Sequence, residues 1–466
     1  MRIIHTSDWH LGQYFYGKSR ANEHQKFLKW LLVQAKNHDV DAIIVAGDIF
    51  DTATPPSYAR QMYFNFISEL QLLNCQLVIL AGNHDSVSML AESKELLNAL
   101  STRVIANVSD IENNENLAEQ VFILRNNNKE PKAVICGVPF IRPRDVIKSQ
   151  QGQSARDKSL SLQQAIVNHY QRLFEYAQQL VKESPCKLPI IATGHLTALG
   201  VTTSDSVRDI YIGTLEALPS NAFPAADYIA LGHIHRAQKV GKTEHIRYCG
   251  SPIALSFDEA KQNKRVLLVD FDDDNLTSVT DIIVPCFQPL AMIKTSLSEL
   301  SHAVEIRLAE LDLSAKNSKK LWLDIELVDS DRLSDLQSRI ESLVEDFPVE
   351  ILLVRRAKQV RQQLIQDQQD NSTLSELTLD EVFDLRLQQE LYFNQKTESH
   401  NEDENTEFEA VIETTTDEEV TVDKTVNNVE NNTENCEENK VEEHKKRLQS
   451  LFKQTVAQVL AKGSDK

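Results

Sequence analysis

Short apolar runs recur through the first 270 residues, and each ends in a cluster of Gly, Asp, Asn or His: RIIHTSDWH (2–10), DAIIVAGDIFD (41–51), LVILAGNHD (77–85), PIIATGH (189–195) and YIALGHIH (228–235). Runs of four to six apolar residues closed by glycine fit buried strands better than helices. Between them the period changes. HQKFLKWLLVQAKN (24–37) and ARQMYFNFISELQLL (59–73) place apolar residues three and four apart, the stripe of an amphipathic helix. Strands alternating with helices predict an α/β architecture in which helices cover buried sheet. In such folds the carboxyl ends of the strands gather at one edge, where sites are usually built.

The second half reads differently. KLWLDIELVD (320–329) has the pattern of a strand, SDRLSDLQSRIESLVEDF (330–347) of an amphipathic helix opening on Ser or Asp, and VEILLVRRA (349–357) of another strand. Further on, LTLDEVFDLRLQQELYF (377–393) offers Phe383, Leu387 and Leu391 at spacing four. HKKRLQSLFKQTVAQVLAK (444–462) offers Leu448, Leu451, Phe452, Val456 and Val459. Neither stripe has an evident core to bury it, so a groove on a partner is expected, the alternative being that the two helices pack on each other. The segment between them, rich in Glu, Asn and Thr, is too polar to fold alone and reads as a disordered linker.

Composition narrows the partners less than it first suggests. At 466 residues the chain calls for two domains or more. Its formal charge of -20 argues against a polyanionic partner, but residues 398–439 hold 15 acids and one base, Lys424. The remaining 424 residues carry only -6, which leaves room for a local basic groove. The six cysteines show no C-x-x-C spacing, so reduced thiols of a cytosolic protein are expected and none reads as catalytic. The N-terminus lacks the pattern of a signal peptide, and no apolar segment approaches the roughly 20 residues of a membrane helix, so a soluble cytoplasmic protein is expected.

The strand ends supply Asp8, His10, Asp48, Asp51, Asn83, His84, Asp85, His195, His233 and His235. A single Asp or Asn after a strand commonly caps a helix or makes a turn, and a lone His is more often structural. Turn chemistry does not call for five of the chain's 13 histidines beside strand-end carboxylates. Such a set suits a two-metal centre: a carboxylate bridging two divalent cations, imidazoles and oxygens around them, and in-line displacement at phosphorus. Asp8 and His10 lie on one face if their segment is extended, and His233 and His235 can face different cations if their backbone bends. Mixed nitrogen and oxygen ligands favour Mn²⁺ or Fe²⁺ over Mg²⁺ or structural Zn²⁺.

In order, D-x-H, G-D-x-x-D, G-N-H-D, G-H and G-H-x-H resemble the calcineurin-like metallophosphoesterase superfamily. HTSDWHLGQ, AGDIFDTATPPSYAR, LAGNHDS, TGHLTALG, LGHIHRAQ and YCGSPIALSFDE (248–259) are similar to the family of bacterial SbcD nuclease subunits. The resemblance implies a sandwich of two β-sheets flanked by helices over 1–275, a smaller α+β capping domain over 281–360 that positions DNA, and C-terminal partner-binding helices. The helices are expected at 377–397 and 441–462, with the acidic linker at 398–440. By the same resemblance Asp8, His10, Asp48 and His235 hold one metal, and Asp48, Asn83, His195 and His233 the other, with two Mn²⁺ as the cofactor. His84 is the implied general acid or transition-state stabiliser, and Asp51 its orienter by analogy with the phosphatase branch. Archaeal and eukaryotic relatives have His at the position of Asp51, which leaves its role open. Asp85 is assigned to a structural turn. Thr52 stands where protein phosphatases carry an Arg that grips a phosphomonoester, which leans towards diester cleavage.

The implied activity is ATP-dependent double-strand exonuclease and single-strand or hairpin endonuclease action in DNA repair, recombination and replication. The implied partners are DNA, the SbcC ATPase and a second copy of the chain within a heterotetramer, on the nucleoid. Lys319, Lys320, Arg355, Arg356, Lys358 and Arg361 are the capping residues expected near DNA, although ordinary solvated charges read equally well. Two other classes stay open, a small-molecule phosphodiesterase and a non-catalytic tethering subunit.

Overall fold

A computed structural model describes residues 1–108, 117–126, 128, 130–146, 155–207, 217–313, 319–328, 336–357 and the single positions 383, 448 and 452. The chain forms two compact units, Met1–Val360 and Arg361–Lys466.

Two six-stranded sheets make the frame of the first unit. One runs in the order Asn275–Ile283, Arg265–Asp272, Arg2–Thr6, Ala42–Ala46, Gln76–Leu80, Thr102–Ile105. The other runs Gln238–Lys239, Ile246–Tyr248, Tyr228–Gly232, Ile190–His195, Pro131–Cys136, Val121–Arg125. Ile3, Ile44, Val78, Ile135, Ile191, Tyr228 and Leu267 fill the space between the sheets. The alternate residues Ile4, Ile43, Val45 and Ile79 point the other way and pack with Phe27, Leu31, Phe66 and Ile67. Those four belong to the helices Ala21–Asn37 and Ser57–Gln71. The second sheet is covered by the helix Ala155–Glu183 through Leu162, Ile166, Tyr170 and Leu173. Both faces of each central strand are therefore buried, which is why the strands read as continuous apolar runs instead of alternating.

The first sheet extends past the expected boundary at 275, because Asn275–Ile283 pairs antiparallel with Arg265–Asp272. Beyond it lies a parallel three-stranded sheet ordered Leu290–Thr295, Leu321–Leu327, Val349–Arg356. The last two strands and the helix Leu336–Val344 match the sequence reading, whose helix began at 330; residues 329–335 lie outside the described ones. The strand Leu290–Thr295 and the helix Leu300–Glu310 were not read from sequence. Leu300, Val304 and Leu308 join Leu323, Ile325 and Ile340 in a core of their own. A smaller cluster of Phe15, Phe257, Leu290 and Trp322 joins this sheet to the sandwich, with Phe15 stacked on Trp322 at 6.0 Å.

Of the expected DNA-facing bases, Lys319 and Lys320 are exposed, whereas Arg355 is committed to the buried carboxylate of Asp324, its Nε donating to Oδ1 at 3.1 Å. Lys358 and Arg361 lie outside the described residues. In the second unit, Phe383 and Phe452 stack with ring centroids 4.1 Å apart. Leu387, Leu391, Leu451, Val456, Val459 and the acidic segment lie outside the described residues.

Candidate metal centre

Parallel register carries the polar clusters to one edge. Thr6 pairs with Val45, Ala46 with Leu80, and Gly232 with His195, so the residues after each strand emerge together. The strand ends crowd together there: within the first sheet a Cβ on Gly82 would lie 2.1 Å from Asp48 Oδ1, and between the sheets one on Gly47 would lie 2.1 Å from His195 Nδ1. Only glycine permits that approach, and Gly47 also sits at φ +93°.

Asp8, His10, Asp48 and His233 themselves have φ of 54°, 48°, 51° and 92°. The extended geometry expected for Asp8-x-His10 is thus replaced by a left-handed turn, and the bend expected at His233 is present. Residues held this way cost about 1–3 kcal/mol each, a sum comparable with the ~5–15 kcal/mol net stability of a whole domain. The strands on either side must therefore hold these turns in place.

The side chains form two halves around Asp48. His10 and His235 have ring centroids 5.2 Å apart on one side, where Asp8, His10 and His235 converge. His195 and His233 are 5.3 Å apart on the other, where Asp48 joins them. One oxygen of Asp48, Oδ2, lies 3.6 Å from His10 Nε2 and 3.3 Å from His195 Nε2. Asn83 Oδ1 is 2.9 Å from His195 Nε2 and 3.2 Å from His233 Nδ1. Neighbouring ligands of a cation about 2.1 Å away lie roughly 3.0–3.4 Å apart, so these separations suit shared coordination. Among the described residues, His10 Nε2 and His233 Nε2 are buried without a hydrogen-bond partner, an arrangement that a cation would satisfy at His10. Every proposed ligand is placed at this edge.

The outer partners set the tautomers. His195 Nδ1 donates to the carbonyl of Ala46 at 2.9 Å, and His10 Nδ1 donates to Asp51 Oδ1 at 3.1 Å, which leaves Nε2 of each ring facing the centre. Asp51 therefore orients the His10 imidazole with its carboxylate. Its carbonyl accepts from His84 Nδ1 at 2.6 Å, so it also orients His84. The His84 N–H donates to Asp48 Oδ1 at 2.9 Å. Asp85 is the structural turn residue expected: its carboxylate accepts from the N–H groups of Ile49, Phe50 and Gly82 at 3.1, 3.0 and 2.8 Å. Burial and the Asp48 charge raise its pKa to about 6.

Sequence reasoning missed Ser206 and Glu259. Ser206 Oγ lies 2.5 Å from His235 Nδ1, and Ser206 donates to the buried carboxylate of Glu259. Burial would raise the Glu259 carboxyl, but the Lys264 ammonium and the His235 imidazole hold it well below the usual carboxylate range. For Glu259 the signal is YCGSPIALSFDE (248–259), which carries a resemblance and no chemistry of its own; Ser206 lies in none of the motifs.

Residues 1–237 match the calcineurin-like phosphoesterase model, and residues 286–390 match the "type 5 capsule protein repressor C-terminal domain" model, which covers the three-stranded sheet. The SbcD subunit of the SbcCD nuclease of Escherichia coli K12 is 51% identical over 387 residues, covering 83% of this chain and 92% of that protein. The chain belongs to the SbcD family of nuclease subunits. The Bacillus subtilis SbcD protein is 29% identical over 343 residues, covering 72% of this chain and 81% of that one. A solved dimetal phosphatase from Danio rerio aligns at a TM-score of 0.33 and 10% identity over 61% of this chain and 98% of that one, too remote to add to the assignment.

The metallophosphoesterase fold implies divalent metal ions, and the groups Asp8, His10 and His235, and Asp48, His195 and His233, could each hold one. Metal loading must compete with protons. Burial depresses both rings, but it is outweighed at His10 by the hydrogen bond to Asp51 and the charges of Asp48, Asp51 and Asp8, and at His195 by the charge of Asp48, the hydrogen bond to it and the charge of Asp8, so that both are raised to about 9. Below that pH the metal-free rings hold protons that must leave before Nε2 binds a cation. Affinity for Mn²⁺ is therefore expected to rise between about pH 7 and 9, by roughly tenfold per unit for each proton released. Calorimetry in two buffers of different ionisation enthalpy checks this, and a pH-independent affinity without proton release would refute it.

Proposed function

We propose that this chain is the nuclease subunit of an SbcCD-type complex and hydrolyses DNA phosphodiesters with two Mn²⁺ ions. Asp8, His10, Asp48 and His235 hold one cation; Asp48, Asn83, His195 and His233 hold the other. The observation that carries this reading is Asp48 Oδ2, which faces an imidazole Nε2 of each half at once. Cations held there supply a polarised water and offset charge on the phosphoryl oxygens. The chain's own residues do the rest. Asp48 fixes the spacing of the two halves and seats the His84 backbone. His84, with Nδ1 committed to the Asp51 carbonyl, presents Nε2, which when protonated donates to the leaving oxygen. Its ring lies 4.7 Å from that of His10, within reach of a phosphate at the centre.

The three-stranded sheet positions the duplex as a capping domain, and the C-terminal segments meet the SbcC ATPase. The assembly is a heterotetramer with two copies of each chain, working on nucleoid DNA in the cytoplasm. Its activities are ATP-dependent double-strand exonuclease and single-strand or hairpin endonuclease action in repair, recombination and replication. The C-terminal family match runs to residue 390 and so includes the start of the first terminal segment.

The test is incubation of the purified chain with a labelled DNA hairpin and, in parallel, a small chromogenic phosphodiester, each with Mn²⁺, Mg²⁺ or chelator. Hairpin cleavage that requires Mn²⁺ is expected. Turnover of the small diester alone, with the SbcC ATPase present, would make the three-stranded sheet a lid for small substrates and overturn the DNA reading. Deleting residues 377–466 is expected to leave metal-dependent cleavage of short single strands and abolish co-purification with the ATPase. An unchanged pull-down would refute the partner-binding role.

A further inference from the structure

We infer that Glu259, with Lys264 as its counter-ion and Ser206 as its relay, is a positioning residue that sets His235 and thereby one of the two cation positions. The inference rests on the two-cation reading above and assigns a specific part of it to residues outside the ligand set.

Glu259 is fully buried and its carboxylate is surrounded by donors. Ser204 Oγ donates to it at 2.7 Å, Leu255 N at 3.0 Å, Lys264 Nζ at 2.5 Å, and Ser206 Oγ at shorter than the usual range. Since the Ser206 hydroxyl proton goes to Glu259, Ser206 Oγ faces His235 Nδ1 with a lone pair, and the ring proton must sit on Nδ1. That leaves His235 Nε2 as the ligand atom. The same network holds the residue from behind: Lys264 Nζ donates to the His235 carbonyl at 3.1 Å, as does Ser251 N at 3.1 Å. Ring and backbone of one ligand are thus gripped by one ion pair.

A purely structural role explains this poorly. Desolvating two charges offsets most of their attraction, so a buried pair is weak support for stability. The pair is also one-sided: it grips His235, whereas His10 leans on Asp51 and His195 on the Ala46 carbonyl. Glu259 ends the turn Phe257–Glu259, whose Phe257 packs with Trp322 of the three-stranded sheet, so the support reaches His235 from that side of the molecule. Outer partners of metal-bound histidines typically change metal affinity about 10–100-fold when removed.

The experiment is Mn²⁺ titration of the full chain, read by calorimetry and bound-metal content, for the parent, Ser206→Ala, Glu259→Ala and His235→Ala. Ser206→Ala leaves the ion pair intact and keeps the test open if Glu259→Ala fails to fold. The parent is expected to bind two ions. Both variants should weaken one site about 10–100-fold and spare the other, the weakened site being the one His235→Ala removes. Two unchanged sites, or equal weakening of both, would overturn the inference and leave the two-cation reading standing. A parent that binds no Mn²⁺ would sink that reading itself.

Discussion

Replacing Asp48 by Ala is expected to abolish Mn²⁺-dependent hairpin cleavage and to lower bound metal from two ions towards none. Its carboxylate meets both halves of the centre: one oxygen faces His10 and His195, and the other accepts the backbone N–H of His84. Its removal takes the negative charge from between the two pairs of imidazoles, so the two cations of the pair repel each other with no shared carboxylate to offset it. A loss of several kcal/mol of transition-state stabilisation corresponds to about 10³–10⁵-fold in rate. Asp48→Asn separates charge from shape, because the amide oxygen still accepts from His84 and leaves the turn seated. Equal loss of metal in both variants would assign the effect to charge. Retention of two tightly bound ions in Asp48→Ala, measured by metal content, would refute the bridging role.

His84→Ala is expected to have the complementary signature, a fall of about 10²–10⁴-fold in cleavage with both ions still bound. The imidazole touches the first half of the centre, but its Nδ1 is committed to the Asp51 carbonyl and its backbone N–H, which the substitution keeps, is what meets Asp48. The ring can therefore serve the leaving oxygen while the ligand set stays assembled. Single-turnover rates with DNA, set beside Mn²⁺ content, make the measurement. Loss of both ions in His84→Ala would turn the residue into a ligand and remove its acid role. A second signature follows from the same placement: a substrate with a better leaving group should be less sensitive to the substitution.

Much of this molecule was legible along the chain because the information is local. A strand buried on both faces needs an unbroken apolar run, as at Ile3–Ile4 and Ile43–Val45, and a parallel sheet places every following polar residue at the same edge. Asp8, His10, Asp48, Asn83, His84, His195, His233 and His235 could be nominated from that rule and from a resemblance. Their partners could not. The ring nitrogen that each histidine turns inward depends on groups far away in sequence, Ala46 for His195 and Ser206 with Glu259 for His235. The left-handed turns at Asp8, His10 and Asp48 arise because packing between strands overrides the local preference of the backbone, which no period in the sequence records. Asp51 shows the same division: analogy with the phosphatase branch marked it as an orienter, but contact geometry gave its carboxylate to His10 and its carbonyl to His84. The strand Leu290–Thr295 is not legible in its own sequence because its apolar face is completed by Leu323 and Ile325, residues that only folding brings beside it.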